Sequence, residues 1–462
     1  MSLLLYFPRY GRSSVVGRRL LSTTANLRQD PKTPLKTSGP SDIVFIEGVR
    51  TPFLVADYQT ELRLHDLARR VLLGLTDKLN LDKNLVGSVV LGNVIQNLQV
   101  PNVARDAALC AAFPATIPAH TVNMACISSN QAITSCIAGL SCGHYDLAIA
   151  GGVELMSEAP ILLGRRLSGA IKDVYKAKSL RQRLVYSTYF LNPFRYTIEM
   201  PSLTEFTTGE TMGFYADRMA SSFKVTRAEQ DEYASRSHHL ARKATDEKLL
   251  TDIIPLRPSG SSRPIEVDNG IRPSSLEVLG KLKPAFVKEF GTVTAANSSF
   301  LTDGAAACLL TTAKHAKSLN LTPKAYLRDF VYVAEHPKDE LLMGPIFAIP
   351  RLLQRNGLKL SDIDVFELHE AFAAQTLSTL KALDCDYFCK NRLGMSSRVG
   401  AIPMEKLNQW GGSLSLGHPL GATGVRLVTM AINRLRHQGG RLALVSSCAA
   451  GGLGHAMLIE AC

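Results

Sequence analysis

One succession of residues occurs twice in this chain and limits its architecture more than any other feature. Cys126-Ile127-Ser128-Ser129-Asn130 is a polar turn. Ile133, Ile137 and Leu140 then lie on one helical stripe, and Asp146-Leu147-Ala148-Ile149-Ala150 runs as a buried strand into a glycine turn, Gly151-Gly152. Near the C-terminus, Gly417-His418-Pro419-Leu420-Gly421 precedes the stripe Val425, Val428, Ile432 and Leu435. A strand over Leu442-Ala443-Leu444-Val445 then runs into Cys448-Ala449-Ala450-Gly451-Gly452. One element earlier, Val89-Val90-Leu91-Gly92-Asn93 is echoed by Asp364-Val365-Phe366-Glu367-Leu368-His369-Glu370. Apolar residues at helical spacing followed by short unbroken apolar runs indicate helices alternating with buried strands. Two α/β halves that repeat one topology explain the pattern, the alternative being chance similarity between two βαβ units. Such alternation predicts mostly parallel sheets covered on both faces.

The rest of the chain fits around these halves. Ile43-Val44-Phe45-Ile46 reads as a first strand, Leu62 to Leu79 as a helix through Leu64, Leu67, Val71 and Leu75, and Ser88 to Leu91 as a short strand. The Pro- and charge-rich stretch from about 160 to 290 reads as helix-poor, an inserted lid or loop domain. Lys314 to Lys324 reads as the link between halves. The expected division is a first half over 40–160 and 290–317, an insertion over 161–289, and a second half over 318–462.

Charge narrows the partners. A chain of 462 residues, 46% hydrophobic and 20% charged, is neither a disordered tail nor a disulfide miniprotein, and it has no long uncharged run of the membrane-spanning kind. Its net charge of +12 invites a nucleic-acid reading. The charge is local, however. Residues 1–29 hold Arg9, Arg12, Arg18, Arg19 and Arg28 and no acid, the composition of a mitochondrial presequence or, failing that, of a disordered basic tail. Residues 161–195 hold Arg165, Arg166, Lys172, Lys176, Lys178, Arg181, Arg183 and Arg195 against Asp173 alone. The remainder sums to zero, which argues against nucleic acid. Within 161–195, Ile161, Leu163, Ile171, Leu184 and Phe190 interleave with the cations, as in an interfacial helix on an anionic bilayer. A solvated face or a surface for a partner subunit has the same composition.

Three residues stand where chemistry is useful. Cys126 lies at the expected start of a helix, where the dipole lowers a thiol's pKa. His418 sits in a turn before another helix. Cys448 follows a buried strand, beside backbone N–H groups that could converge on an oxyanion. Singly, each has a bland explanation as a packed thiol or a turn histidine. The nine cysteines form no disulfide framework, and the lone pair Cys385 and Cys389 lacks a second pair of ligands, so no metal site is expected.

Taken together, these residues resemble the thiolase family. The nucleophile box Val-Asn-x-x-Cys-x-Ser is met by Val122-Asn123-Met124-Ala125-Cys126-Ile127-Ser128, and Gly-Gly-x-Glu-x-Met-Ser by Gly151 to Ser157. Gly291-Thr292-Val293-Thr294-Ala295, Asp303-Gly304-Ala305-Ala306, Gly417 to Ala422 and the Cys448 box follow in order, so the resemblance spans about 40–462. It implies two βαβαβαββ halves in a layered αβαβα core with an inserted loop domain. It also implies thiolysis of 3-oxoacyl-CoA by CoA with no tightly bound cofactor. Cys126 would be the nucleophile, His418 the base and an oxyanion donor, and Cys448 the general acid and base. His369 would support one oxyanion hole, the N–H groups of Cys126 and Ala450 would form another, and Ser299 would contact the CoA arm.

The chain departs from the family pattern at two positions. His369 stands where most thiolases have Asn, and Ala450 replaces a glycine, acceptable if its backbone conformation suits a Cβ. His369 and the basic insertion resemble the branch that acts in mitochondrial fatty-acid β-oxidation as a long-chain thiolase, paired as a homodimer within a hetero-oligomer. The other subunit of that assembly carries hydratase and dehydrogenase activities. Competing readings are a short-chain acetoacetyl-CoA thiolase and a catalytically silent membrane- or RNA-binding scaffold on the same fold.

Overall fold

The computed structural model describes residues 39–58, 61–192, 196–199, 204–258 and 263–462; the expected presequence over 1–29 lies outside them. The strands in chain order are β1 Ile43–Arg50, β2 Leu54–Val55, β3 Ser88–Gly92, β4 Ala119–Val122, β5 Leu147–Glu154, β6 Leu162–Leu163, β7 Ile198–Glu199, β8 Thr302–Thr312, β9 Ala325–Ala334, β10 Val365–Leu368, β11 Leu442–Ala449 and β12 Leu453–Ala461. They pair in the order β10-β11-β12-β9-β1-β8-β5-β3-β4, with β2 on β8 and a separate β6-β7 ribbon.

The repeat holds in the pairing. In the first half β4, β3 and β5 are parallel while β8 and β1 are antiparallel; in the second β10 and β11 are parallel while β12 and β9 are antiparallel. The counterpart of β4 is reduced to one parallel bridge, Phe366 to Leu407. The halves join through two antiparallel residue pairs, Val44 with Tyr326 and Phe45 with Ala325.

The expectation of mostly parallel sheets is corrected by these pairings. Each half ends in strands running antiparallel, as the βαβαβαββ order implied by the resemblance requires, whereas the residue pattern alone carries no separate signal for β8, β9 and β12. The reason lies in the turns. Gly451 and Gly452 take φ 80 and 74, so β11 folds straight back into β12 with no helix between them.

Five layers result. One apolar cluster packs the helices Leu64–Leu79 and Val103–Cys110 on the outer face of the first half-sheet, through Leu67, Val71, Leu75 and Ala107. Another packs Gly344–Asn356 on the outer face of the second, through Ile349, Leu352 and Leu353. Between the half-sheets lie the helices Ser128–Ser141 and Thr423–Gln438, whose Ile133, Leu140, Val425, Val428 and Ile432 share one core with strands of both halves. Their predicted stripes point into that central layer.

The insertion is not helix-poor. It contains Arg165–Lys176, Leu180–Ser187, Met212–Ser222, the 20-residue helix Arg227–Asp246 and Leu276–Gly280. The buried positions of Arg227–Asp246 include Gln230, Asp231, Ser237 and His238, so its core face carries little apolar periodicity. A capping box, Thr226 with Glu229, starts it instead. The insertion is anchored by Arg50 at the end of β1, fully buried and bonded to Asp252 at 2.9 Å and bidentately to Asp268 at 2.6 and 2.8 Å.

Gly151 and Gly152 form no turn; β5 runs through both. A Cβ on Gly152 would stand 1.8 Å from the Gly421 carbonyl oxygen, so here a strand of one half meets the His418 loop of the other backbone to backbone. Gly152→Ala should destabilise the protein by about 3 kcal/mol or more through this overpacking. Gly169→Ala, in a helix where an added Cβ meets nothing within 4 Å, should be neutral or slightly stabilising. Thermal melts of both variants check the contrast; equal melting temperatures would remove the close approach as a constraint.

Candidate active site

The Cys126 turn is built by its neighbours. Asn123 Oδ1 accepts the Ala125 N–H at 3.0 Å, while Ser128 Oγ accepts the Met124 N–H at 2.9 Å and donates to the Ala125 carbonyl at 2.6 Å. These bonds hold Ala125 at φ 48, a left-handed conformation costly for a residue with a Cβ. The strained turn presents Cys126 two residues before the helix Ser128–Ser141. Gly92 lets β3 abut that helix, since a Cβ there would lie 2.7 Å from the Ser129 nitrogen.

The His418 loop belongs to the second half but is positioned by the first. Its His418 N–H donates to Thr302 Oγ1 at 2.9 Å and its Gly421 N–H to Glu154 Oε2 at 2.9 Å. Glu154 also accepts the N–H groups of Val94 and Ile95 and the Asn93 side chain. Burial pushes its carboxyl up to about 7 while these donors pull it down.

Cys126, His369 and His418 converge, with the cysteine sulfur and one nitrogen of each ring all within 4.8 Å of one another. The two rings are 4.1 Å apart, tilted by 46°. Their outer nitrogens assign their roles. Thr423 Oγ1 gives its single proton to the Pro419 carbonyl at 3.1 Å and so accepts from His418 Nδ1 at 2.6 Å, which leaves a lone pair on His418 Nε2. Ser413 Oγ accepts from Arg426 at 2.6 Å and still has its own proton to give His369 Nδ1 at 2.9 Å; given there, it places the His369 proton on Nε2. One imidazole thus offers a base to the site, the other a donor.

Cys448, buried at the end of β11, interacts with Cys126, and the N–H groups of Ala450 and of Cys126 itself reach the Cys126 sulfur. Ala450 is not among the residues with positive φ; the two glycines after it carry the left-handed turn, so its Cβ is accommodated. Ser299 is half-buried and joins the His369 segment by its N–H to the Ala371 carbonyl at 2.9 Å. Arg165, Arg166, Lys172, Lys176, Lys178, Arg181 and Arg183 take no part in this cluster; all are exposed, on or between the helices Arg165–Lys176 and Leu180–Ser187. Cys389 Sγ points to the Ala382 and Leu383 carbonyls, and all nine cysteines are free.

The expected low pKa of Cys126 is reversed. Burial pushes the thiol up to about 12, outweighing the N–H groups of Ala450 and Cys126 that favour the thiolate. Burial and the nearby Arg426 push His418 down to about 3, burial with His418 and Arg426 pushes His369 well down, and burial beside Cys126 pushes Cys448 up. At rest the site therefore holds neutral thiols and neutral imidazoles.

Glu154, Ser413, Thr423, Arg426 and Glu370 were not singled out from the sequence. Arg426 had a signal, since a buried helix with Arg426 and Arg434 on one face needs an acid; both approach Glu367, at 3.8 and 2.6 Å. Glu370 accepts from Tyr233, Ser237 and Asn408, tying the insertion to the second half.

This constellation is that of a thiolase, and the chain belongs to the thiolase family: the thiolase N-terminal domain matches residues 43–314 and the thiolase C-terminal domain residues 321–461. Within the family it is 52% identical over 446 residues to the mitochondrial trifunctional enzyme subunit beta of Bos taurus, covering 96% of this chain and 93% of that one. It is 47% identical to a probable 3-ketoacyl-CoA thiolase of Caenorhabditis elegans, over 96% and 99%. The crystal structure of human mitochondrial 3-ketoacyl-CoA thiolase superposes with a TM-score of 0.78 at 29% identity, covering 92% of this chain and all of that one.

With both groups neutral, alkylation of Cys126 by iodoacetamide should accelerate about tenfold per pH unit across the neutral range without a plateau, since only the thiolate reacts. Mass-spectrometric rates at Cys126 test this. A plateau near pH 7 would show a preformed thiolate–imidazolium pair.

Proposed function

We propose that this protein cleaves long-chain 3-oxoacyl-CoA with CoA to acetyl-CoA and a shortened acyl-CoA, as the thiolase subunit of a mitochondrial β-oxidation complex. The observation that carries this is the meeting of half-buried Cys126 with buried His418, His369 and Cys448 and with the N–H of Ala450. Identity to the trifunctional enzyme subunit beta supports the compartment and the assembly. The protein acts as a thiolase-type homodimer within a hetero-oligomer, beside an α-subunit carrying hydratase and dehydrogenase activities. Coenzyme A is a co-substrate rather than a resident cofactor. Residues 161–289 act as one insertion between the two parts of the first half, and 318–462 form the second half.

In the first step His418 Nε2 takes the Cys126 proton as sulfur attacks the 3-keto carbon. The new oxyanion, on the carbon bonded to Cys126, lies within reach of the N–H groups of Cys126 and Ala450. The C2–C3 bond then breaks. The enolate oxygen of the departing acetyl-CoA accepts from His369 Nε2 and from the now protonated His418, and Cys448 gives its proton to C2. Each donor of this kind is worth about 3–4 kcal/mol in the transition state. In the second step the CoA thiol passes its proton to the Cys448 thiolate and attacks the acyl-enzyme; Cys126 leaves and recovers its proton from His418. A high thiol pKa suits Cys448, because an acid that protonates carbon must hold its proton until the carbanion forms. His369 donates directly, where an asparagine would hold a water.

Steady-state thiolysis across a C4-to-C16 series tests the assignment, with rates rising toward the long chains. Cys126→Ala should fall to background. His369→Ala should lose about 10²-fold in kcat, with His369→Asn recovering part of it. A C4 optimum would give the short-chain reading instead, and substantial activity in Cys126→Ala would defeat the nucleophile.

Arg165–Lys176, Leu180–Ser187 and the link between them bear the exposed cations together with exposed Tyr175, Leu180 and Leu184, and exposed Ile161 and Leu163 lie just before them. No helix among the described residues is long and apolar enough to cross a membrane. We assign this appendage to the matrix side of the inner membrane, resting on anionic lipid, with each near-surface cation adding about 1 kcal/mol. Flotation of the protein with anionic but not neutral liposomes is expected. Flotation undiminished by neutralising the cations between Arg165 and Arg183 would overturn the electrostatic account.

A further inference from the structure

The cluster of Cys126, His369 and His418 has a second chemical property. The Nδ1 atoms of both imidazoles are held by hydroxyls, Ser413 Oγ at 2.9 Å and Thr423 Oγ1 at 2.6 Å. Both Nε2 atoms are buried and have no hydrogen-bond partner among the described residues. Two imidazoles anchored through their outer nitrogens beside a thiol are the donor set and the support of a zinc site with an open fourth position. Zinc bonds of about 2.0–2.3 Å bring tetrahedral ligand atoms to roughly 3.5 Å of one another. The three ligand atoms, all within 4.8 Å, reach that spacing by small side-chain rotations. The positive charge of Arg426 beside the site is offset by Glu367 at 3.8 Å.

We infer that Cys126, His369 and His418 form a site for a soft divalent transition-metal ion, zinc above all, whose occupation blocks acyl transfer. The binding is a ligand exchange without redox change: the Cys126 S–H bond breaks, the sulfur–zinc bond forms and the proton leaves to solvent. His369 moves its proton from Nε2 to Nδ1, where the Ser413 oxygen accepts it. The fourth coordination position stays open to water or to the thiol of CoA. The chain's own His369, where asparagine is usual, supplies the third ligand. Inhibition as the consequence rests on the assignment of Cys126 as nucleophile; metal binding itself does not.

The test uses the full purified chain, free of CoA and thiol reductants. Zinc titrated against a chromophoric chelator should bind at one tight equivalent per chain. Affinity should fall about 10-fold or more in His369→Asn, and likewise in folded wild-type protein whose Cys126 has first been alkylated. Cobalt substitution should show a near-ultraviolet sulfur-to-cobalt charge-transfer band that both changes abolish. Thiolysis should be inhibited by one equivalent of zinc and restored by EDTA. No tight equivalent, or zinc binding and a cobalt band untouched by both changes, overturns the inference. Thiolysis by the metal-free enzyme, measured in the same series, separates the two ideas. Its absence with zinc bound at these residues defeats the acyl-transfer assignment, and its presence without a zinc site defeats only the metal site.

Discussion

The whole structure turns on the contact between the two central helices at their N-terminal ends. A Cβ on Gly424 would stand 2.7 Å from the Asn130 backbone nitrogen, and the Val425 N–H donates to Ser129 Oγ at 3.1 Å. Side chains between these helices would hold the Cys126 turn and the His418 loop apart. With glycine at 92, 152, 421 and 424, backbone meets backbone, and Cys126 of one half comes within 4.8 Å of His369 and His418 of the other. The layered fold brings the Cys126 turn and the His418 loop to one place, and the glycines allow it to close.

Neutrality of the resting site follows from the same closure. Packing the halves together buries His418 and Cys448 and covers most of the Cys126 thiol, which disfavours charge on any of them. In the proposed reaction charge would therefore develop only along the path, beside N–H donors already in place. The fixed charges have been moved one layer back, to Glu367 with Arg426 and Arg434 and to Glu154 against four donors. From there they orient Ser413 and the His418 loop without entering the chemistry.

What was legible in the sequence was whatever local order expresses. The helices at 64–79, 128–141 and 423–438 announce themselves by apolar spacing, and Cys126, His418 and Cys448 by their glycine-rich surroundings. Strands β8, β9 and β12 did not, because nothing in a short apolar run says whether its neighbour will be parallel. The helix Arg227–Asp246 was hidden by its polar core face. The acidity of Cys126 was read in the wrong direction, since proximity to a helix start is a local property and desolvation a global one. Ser413 and Thr423, which set two tautomers, are ordinary hydroxyls until the fold places them beside rings.

The first half carries a long interruption. Ser157, just beyond β5, bonds its N–H to Asp303 at the head of β8, 146 positions further along, and β8 supplies the strand between β5 and β1. Until that strand is made, the sheet behind the nucleophile has an open seam with two apolar edges. Closure of such a distant loop is slow, and unpaired edges invite misassociation while it is pending. As the chain is made N-terminus first, the half that holds Cys126 cannot finish folding before the insertion has followed it. The stretch that carries the basic appendage thus also sets the order in which the fold can be assembled.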